Sequence, residues 1–185
     1  MTIPAFDSIL NVLPTHLGDP RKPNDLSPYP CTVDEVCGRF ATSGPRKAIL
    51  DGFLNLRREL FKLGVEGFQW LDGSFLEDIE AQENRDPKDV DVITFISKPV
   101  SQADFLTLQS TSHWLLDRNA TKQQFSVDHF VVHLGSSPRL LVDLSRYWYG
   151  LFSHRRDGLW KGMLSVELVD QADDVAARVT LGGAP

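Results

Sequence analysis

The sequence predicts an α/β domain of the α+β kind, with a mixed β-sheet flanked by helices and an extended N-terminal arm. A chain of 185 residues with 42% hydrophobic content can bury one substantial core and is short for two. Apolar residues recur at helical spacing from Ile49 to Phe61, and shorter β-branched or aromatic runs follow. Six of the eleven prolines fall in the first thirty residues, a density that forbids regular helix there and favours extended chain.

Residues 1–30 are therefore read as an arm packing along the domain through Ile3, Phe6, Ile9, Leu10, Val12 and Leu13. Disorder is the competing reading. Residues 31–170 form the domain, and 171–185 an Ala- and Asp-rich tail expected to fray. Thr32 with Glu35 is a capping-box signal for a short helix, Val33 to Phe40. Ser43 or Gly44 caps the next helix, with Pro45 in its first turn. That helix runs from Arg46 to Leu63 and stops at Gly64. Val65 to Leu71 reads as a buried strand ending at a Gly-Ser turn, and Val90 to Ile96 as a second strand. Between them, Glu77 to Lys88 carries Glu77, Asp78, Glu80, Glu83 and Asp86 and reads as a solvated loop. Ser101 with Asp104 starts a helix carried to about Asp117. Phe125 to Leu134 is the third strand, Leu140 to Phe152 a helix, and Met163 to Val169 a last short strand.

The formal charge of −6 and a pI near 5.3 argue against a protein that coats duplex nucleic acid or an anionic membrane. No apolar run approaches a membrane span, and the start lacks the order of an export signal. The expected location is cytoplasmic. Cys31 and Cys37 form no disulfide framework and have no zinc-spaced partners, so both are expected reduced.

The chemistry concentrates in Leu71-Asp72-Gly73-Ser74-Phe75 and, about fifteen residues on, Asp89-Val90-Asp91. Phosphate needs backbone N–H groups that can be approached closely; Gly73 has no side chain to block them, and Ser74 adds a hydroxyl. Asp89 and Asp91, two apart, leave the same face of a strand and can share divalent cations. Nucleotidyl transfer uses two such cations and normally a third carboxylate. Asp128, between apolar residues of the third strand, is the candidate, because an unpaired carboxylate there is costly to bury. Asp143, on the Leu140 to Phe152 helix, is the fallback.

Together these residues resemble the signature of the polymerase-beta-type nucleotidyltransferase superfamily, with the Arg46 to Leu63 helix standing where that fold puts its first helix. More narrowly, the chain resembles a bacterial family of small nucleotidyltransferase-like proteins. The matching features are Ile3-Pro4-x-Phe6, Leu13-Pro14, Trp70 to Phe75, Asp89-Val90-Asp91, Arg156-Asp157-Gly158 and Lys161-Gly162. The resemblance implies that Gly73 and Ser74 contact a nucleoside triphosphate, and that Asp89 and Asp91 bind magnesium, with manganese as a substitute. Asp128 would be the third ligand and a catalytic carboxylate alongside them. It implies transfer of a nucleoside monophosphate to an acceptor hydroxyl on a protein, RNA, nucleotide or small molecule. A bacterial toxin-antitoxin or phage-defence setting, with a cognate protein partner held by the arm, is part of that expectation. The interval from Ser74 to Asp89 lies at or slightly beyond the long end of the superfamily's range.

The basic residues Lys122, Arg156 and Lys161 are the candidates for nucleotide contact, since a triphosphate needs cations and Arg grips phosphate in two places. Solvated surface charge is the plainer explanation. Tyr147, Trp148, Tyr149 and Trp160 are candidates to stack a base, with core packing favoured for Trp148. His129 and His133 share a strand face opposite Asp128, roughly 13 Å apart, too far for one ion, and are expected to be half-exposed. Two other readings stand beside the enzyme: an inactive nucleotide- or partner-binding module, and a structural protein whose Asp89-x-Asp91 is neutralised by Arg85 or Lys88.

Overall fold

The Thr32 hydroxyl accepts from the Glu35 N–H and the Glu35 carboxylate accepts from the Thr32 N–H, so the capping box fixes the start of α1 (Val33–Phe40). A computed structural model of the chain describes residues 3–99 and 101–182. Ser43 caps α2 (Gly44–Lys62), with Pro45 in its first turn. Five strands form one mixed sheet: β1 (Tyr29–Pro30), β2 (Glu66–Asp72), β3 (Val90–Lys98), β4 (Val127–His133) and β5 (Leu164–Leu168), in the order β1-β5-β2-β3-β4. β2 is antiparallel to both β3 and β5, while β3–β4 and β1–β5 are parallel. The fold is therefore the expected α+β sheet with helices.

The sheet has two apolar faces. Leu71, Val92, Ile96, Val127 and Val166 join Ile49, Leu50, Phe53, Leu54, Leu56 and Leu60 of α2 in the main core. On the other face Phe68, Trp70, Ile93, Phe95, Phe130 and Val132 meet Leu141, Leu144, Trp148 and Phe152 of α6 (Pro138–Phe152). Because side chains alternate along a strand, Asp72, Asp91 and Asp128 leave this second face.

Parallel β3 and β4 need a crossover, supplied by α4 (Gln102–Thr111), a 3-10 turn (His113–Leu116) and α5 (Arg118–Phe125). The single helix expected to reach Asp117 stops at Thr111. Ser110 and Thr111 hydroxyls bond back to the Thr107 carbonyl, competing with the ladder. α5 was hidden by its polar composition: only Thr121 and Phe125 are buried.

The segment expected as a solvated loop folds back on the domain. Ser74–Leu76 is a 3-10 turn, α3 (Ile79–Glu83) follows, and Glu77 and Ile79 are buried. Arg46 grips Glu80 through two hydrogen bonds, and Arg155 reaches Glu77, Glu83 and Gln82. Paired acids can fold inward where free ones cannot.

The expected fraying tail is α7 (Ala172–Thr180). Asp173 accepts from the Val33 and Asp34 N–H groups at the start of α1, a favourable site for an anion. Ala177 is buried, and Asp174 meets the wholly buried Arg57 at 2.6 Å. Residues 183–185 lie outside the described residues. In the arm Ile3, Val12 and Leu13 are buried and Phe6 packs on the core, but Ile9 and Leu10 are exposed. His129 and His133, expected half-exposed, are both buried. Arg57 donates to Gln69, Gln69 to Thr94, and Thr94 meets His129 at 2.7 Å, so a continuous polar chain crosses the core. Burial pushes the His129 imidazole down to about 4, keeping it neutral. Cys31 and Cys37 are free thiols.

Candidate functional site

β2 ends in Asp72, and the chain turns at Gly73 with φ 89° and ψ −177°, a conformation that essentially only glycine adopts. A Cβ at Gly73 would sit 2.7 Å from Asp91 Oδ2 and 3.4 Å from the Asp91 nitrogen. The turn is pressed against Asp91, so glycine is required here for space as well as for backbone freedom.

Buried Phe75 and Leu76 anchor the turn in the core. Arg46 donates to the Phe75 and Glu77 carbonyls at 2.7 Å each. Lys161 is only 3% exposed; its ammonium donates to the Gly73 carbonyl at 2.9 Å and lies 2.7 Å from Asp72 and 3.0 Å from Glu77. Burial presses the Lys161 ammonium down, but the Asp72 and Glu77 carboxylates outweigh it and hold the group above its ordinary value. Lys161 braces the turn from inside and is not open to a nucleotide, contrary to the surface contact expected of it.

Asp72 pairs with Asp91 across β2–β3, and Asp91 with Asp128 across β3–β4. Three carboxylates thus stand side by side on one sheet face, with Asp89 at the mouth of β3. Their cations are unequally shared. Arg118 donates to both Asp128 oxygens at 2.7 Å, with its guanidinium 4.5 Å above the Phe130 ring. The Lys122 ammonium bridges Asp89 at 2.7 Å and Asp128 at 3.2 Å. Burial would raise Asp128, but hydrogen bonds from Arg118 and Lys122 hold it below the usual carboxylate range. Among the described residues nothing ion-pairs with Asp91. Burial, then the charges of Asp89 and Asp128, push it up to about 6.

The expected Asp89, Asp91, Asp128 and Gly73 therefore come together, and Ser74 opens the 3-10 turn beside them. Asp143 does not join them: it is paired with Arg139 on α6 at 3.0 Å. Arg156 is exposed beyond the site, without an ion pair among the described residues. Neither Arg85 nor Lys88 neutralises Asp89 and Asp91; Arg85 pairs with Glu83, and Lys122, expected on a nucleotide, takes that place. Trp148 packs against Phe130 and Phe152, whereas Tyr147 and Trp160 are exposed. Sequence reasoning missed Asp72 and Arg118 as members of the site. Asp72 was legible as the residue two after Trp70 on the same strand face. Arg118 was legible as the partner of Lys122 at i, i+4 once Asp117 is seen as an N-cap.

As the side chains stand, no group of three His, Cys, Asp or Glu forms a metal cage among the described residues, with Asp128 turned to Arg118 and Lys122. The donor set still suits a hard divalent cation. It is all carboxylate oxygen, it has an unpaired member in Asp91, and it adjoins a turn a Cβ would fill.

A family model described as "Family of unknown function (DUF6932)" matches residues 4–167, a span that takes in the whole carboxylate row, the Gly73 turn and Lys161. No curated protein and no solved structure matches the chain.

Proposed function

The chain belongs to this DUF6932 family of unknown function, and we propose that it is a magnesium-dependent nucleotidyltransferase moving a nucleoside monophosphate from an NTP to an acceptor hydroxyl. One observation carries the reading: a half-buried Asp91, without an ion pair among the described residues, stands beside Asp128 across β3–β4 and directly against a glycine turn. A carboxylate pushed up to about 6 by its surroundings marks a place where a cation would be welcome. The resemblance of Gly73-Ser74 and Asp89-x-Asp91 to the polymerase-beta-type signature points the same way.

On this reading Asp89 and Asp91, with Asp128, would hold two magnesium ions, or manganese in their place. Bound there, the ions would offset triphosphate charge and bring the acceptor oxygen toward the α-phosphorus. The Gly73-Ser74 turn offers backbone N–H groups and a hydroxyl to the β- and γ-phosphates. Lys161 keeps the turn rigid from below, and Arg46 fixes its far end. The acceptor's proton goes to a carboxylate of the row. Asp128 is a poor proton acceptor while Arg118 grips both its oxygens, so deprotonation through Asp128 requires that pair to open.

A second reading, an inactive binding module on the same scaffold, draws support from the same clamp, because Arg118 and Lys122 neutralise Asp128 and Asp89. The two readings separate on incubation with magnesium and each of the four α-labelled NTPs, with and without cell extract. The enzyme reading expects labelled acceptor and pyrophosphate, both lost in Asp89→Ala/Asp91→Ala. Stabilisation by an NTP without turnover favours the module, and turnover in the double variant would sink the mechanism. A defence setting and an arm-held partner stay attached to the resemblance and are tested by co-purification with the arm deleted.

A further inference from the structure

Arg118 and Lys122 sit four residues apart on α5, so both reach the carboxylates from one helix face. The helix itself is fixed. Asp117 caps its start, accepting from the Asn119 and Ala120 N–H groups, and Thr121 and Phe125, on the same i, i+3, i+4, i+7 stripe as Arg118 and Lys122, are buried. At its end α2 comes so close that a Cβ at Gly52 would fall 1.9 Å from the Phe125 carbonyl oxygen. Any rearrangement at this site belongs to the side chains.

The two cations hold on differently. Arg118 makes a two-pronged pair with Asp128 and stacks over Phe130, a geometry that resists displacement. Lys122 is a point charge on a flexible stem, its side chain 47% exposed, lying on an Asp89 that is itself 19% exposed. The Arg118 side chain is as open to solvent, at 57%, so grip rather than access makes Lys122 the cation that a divalent ion displaces.

We propose that Lys122 is the resident counter-ion of the site: its ammonium bridges Asp89 and Asp128 until a divalent cation replaces it, and the displaced ammonium then binds the triphosphate. The inference rests on the metal site of the proposed function and deepens it. Lys122 thereby opposes the cation alone but favours the cation and nucleotide together, so the two ligands bind with positive coupling. Arg118 holds Asp128 while Lys122 leaves, and keeps the row from repelling itself apart until the divalent cation is seated.

The test counts bound Mn2+ in the intact protein, with and without a non-hydrolysable ATP analogue, in the wild type, Lys122→Gln and Lys88→Gln. Lys88 is the control: it is exposed, adjoins Asp89 in the chain and makes no ion pair among the described residues. Losing the lysine's charge-assisted contacts is expected to tighten Mn2+ binding by about tenfold in Lys122→Gln. Lys88→Gln should change it by less than about twofold, as expected of an exposed charge. The analogue should strengthen Mn2+ binding in the wild type and much less in Lys122→Gln. Lys122→Arg, which keeps the charge and grips more firmly, should weaken Mn2+ binding and serves also if the Gln variant fails to fold. Equal shifts in Lys122→Gln and Lys88→Gln would overturn the inference, as would unchanged or weaker binding in Lys122→Gln, while leaving the metal site standing. Absence of Mn2+ binding in every protein would overturn both.

Discussion

Asp91 and Asp128 stand opposite each other in the parallel register of β3 and β4, yet Asp128 is held by two cations and Asp91 by none among the described residues. This asymmetry sets the pH behaviour of the metal-free protein. A carboxyl whose folded pKa lies above its unfolded value binds its proton more tightly when folded, so stability falls as pH rises through the interval between the two. For Asp91 that interval runs from its ordinary 3.8 to about 6. In EDTA, Asp91→Asn should match the wild type near the lower end and exceed it by about 3 kcal/mol above the upper end. Urea unfolding at both pH values measures this; an Asn variant no more stable at neutral pH would mean that Asp91 is not left uncompensated.

Lys161 should matter to the fold more than any exposed cation. Lys161→Met leaves Asp72 and Glu77 buried without their counter-ion and is expected to cost about 3–5 kcal/mol. Arg156→Met should cost less than about 0.5 kcal/mol, as for surface substitutions generally. Thermal and denaturant unfolding compare them directly. A mild effect at Lys161 with a large loss of nucleotide affinity would restore it as a phosphate ligand.

Asp174→Ala is expected to destabilise by about 3–5 kcal/mol, since it strands the buried Arg57 guanidinium. The cost should appear in hydrogen exchange as loss of protection across α7 and α1. A near-neutral variant would mean that the C-terminal helix frays in solution.

Gly73→Ala combines two penalties. The backbone conformation alone should cost about 1–3 kcal/mol, and the new methyl must push the Asp91 carboxylate aside. Gly158→Ala also has a positive φ, of 87°, but no atom near its Cβ position. It should lose stability without losing Mn2+ affinity, whereas Gly73→Ala loses both. Equal Mn2+ affinity in the two variants would detach Gly73 from the site.

The sequence made the site legible where local rules decide geometry. The capping box of α1, the Ser43 cap and the apolar stripe located α1 and α2, strand alternation put Asp89 and Asp91 on one face, and the cost of an unpaired carboxylate in an apolar strand pointed to Asp128. What it concealed depended on pairing across long separations. Nothing in residues 77–88 reveals that Arg46 and Arg155 would neutralise their acids and let α3 form. Nothing after Asp170 reveals Arg57 waiting for Asp174, and Lys161 looked like surface charge because its partners Asp72 and Glu77 lie more than eighty residues away. α5 was lost for a different reason: with two buried residues it has too narrow an apolar stripe to show periodicity.

The central claim is that Asp89, Asp91 and Asp128 hold divalent cations beside the Gly73 turn. Crystals grown with Mn2+ and a non-hydrolysable NTP analogue, measured at the manganese absorption edge, test it most directly. The account predicts anomalous peaks at the Asp89 and Asp91 carboxylates, triphosphate against the Gly73-Ser74 turn, and Lys122 moved from Asp89 to the phosphates. No peak at these carboxylates, with Lys122 still bridging Asp89 and Asp128, would contradict it.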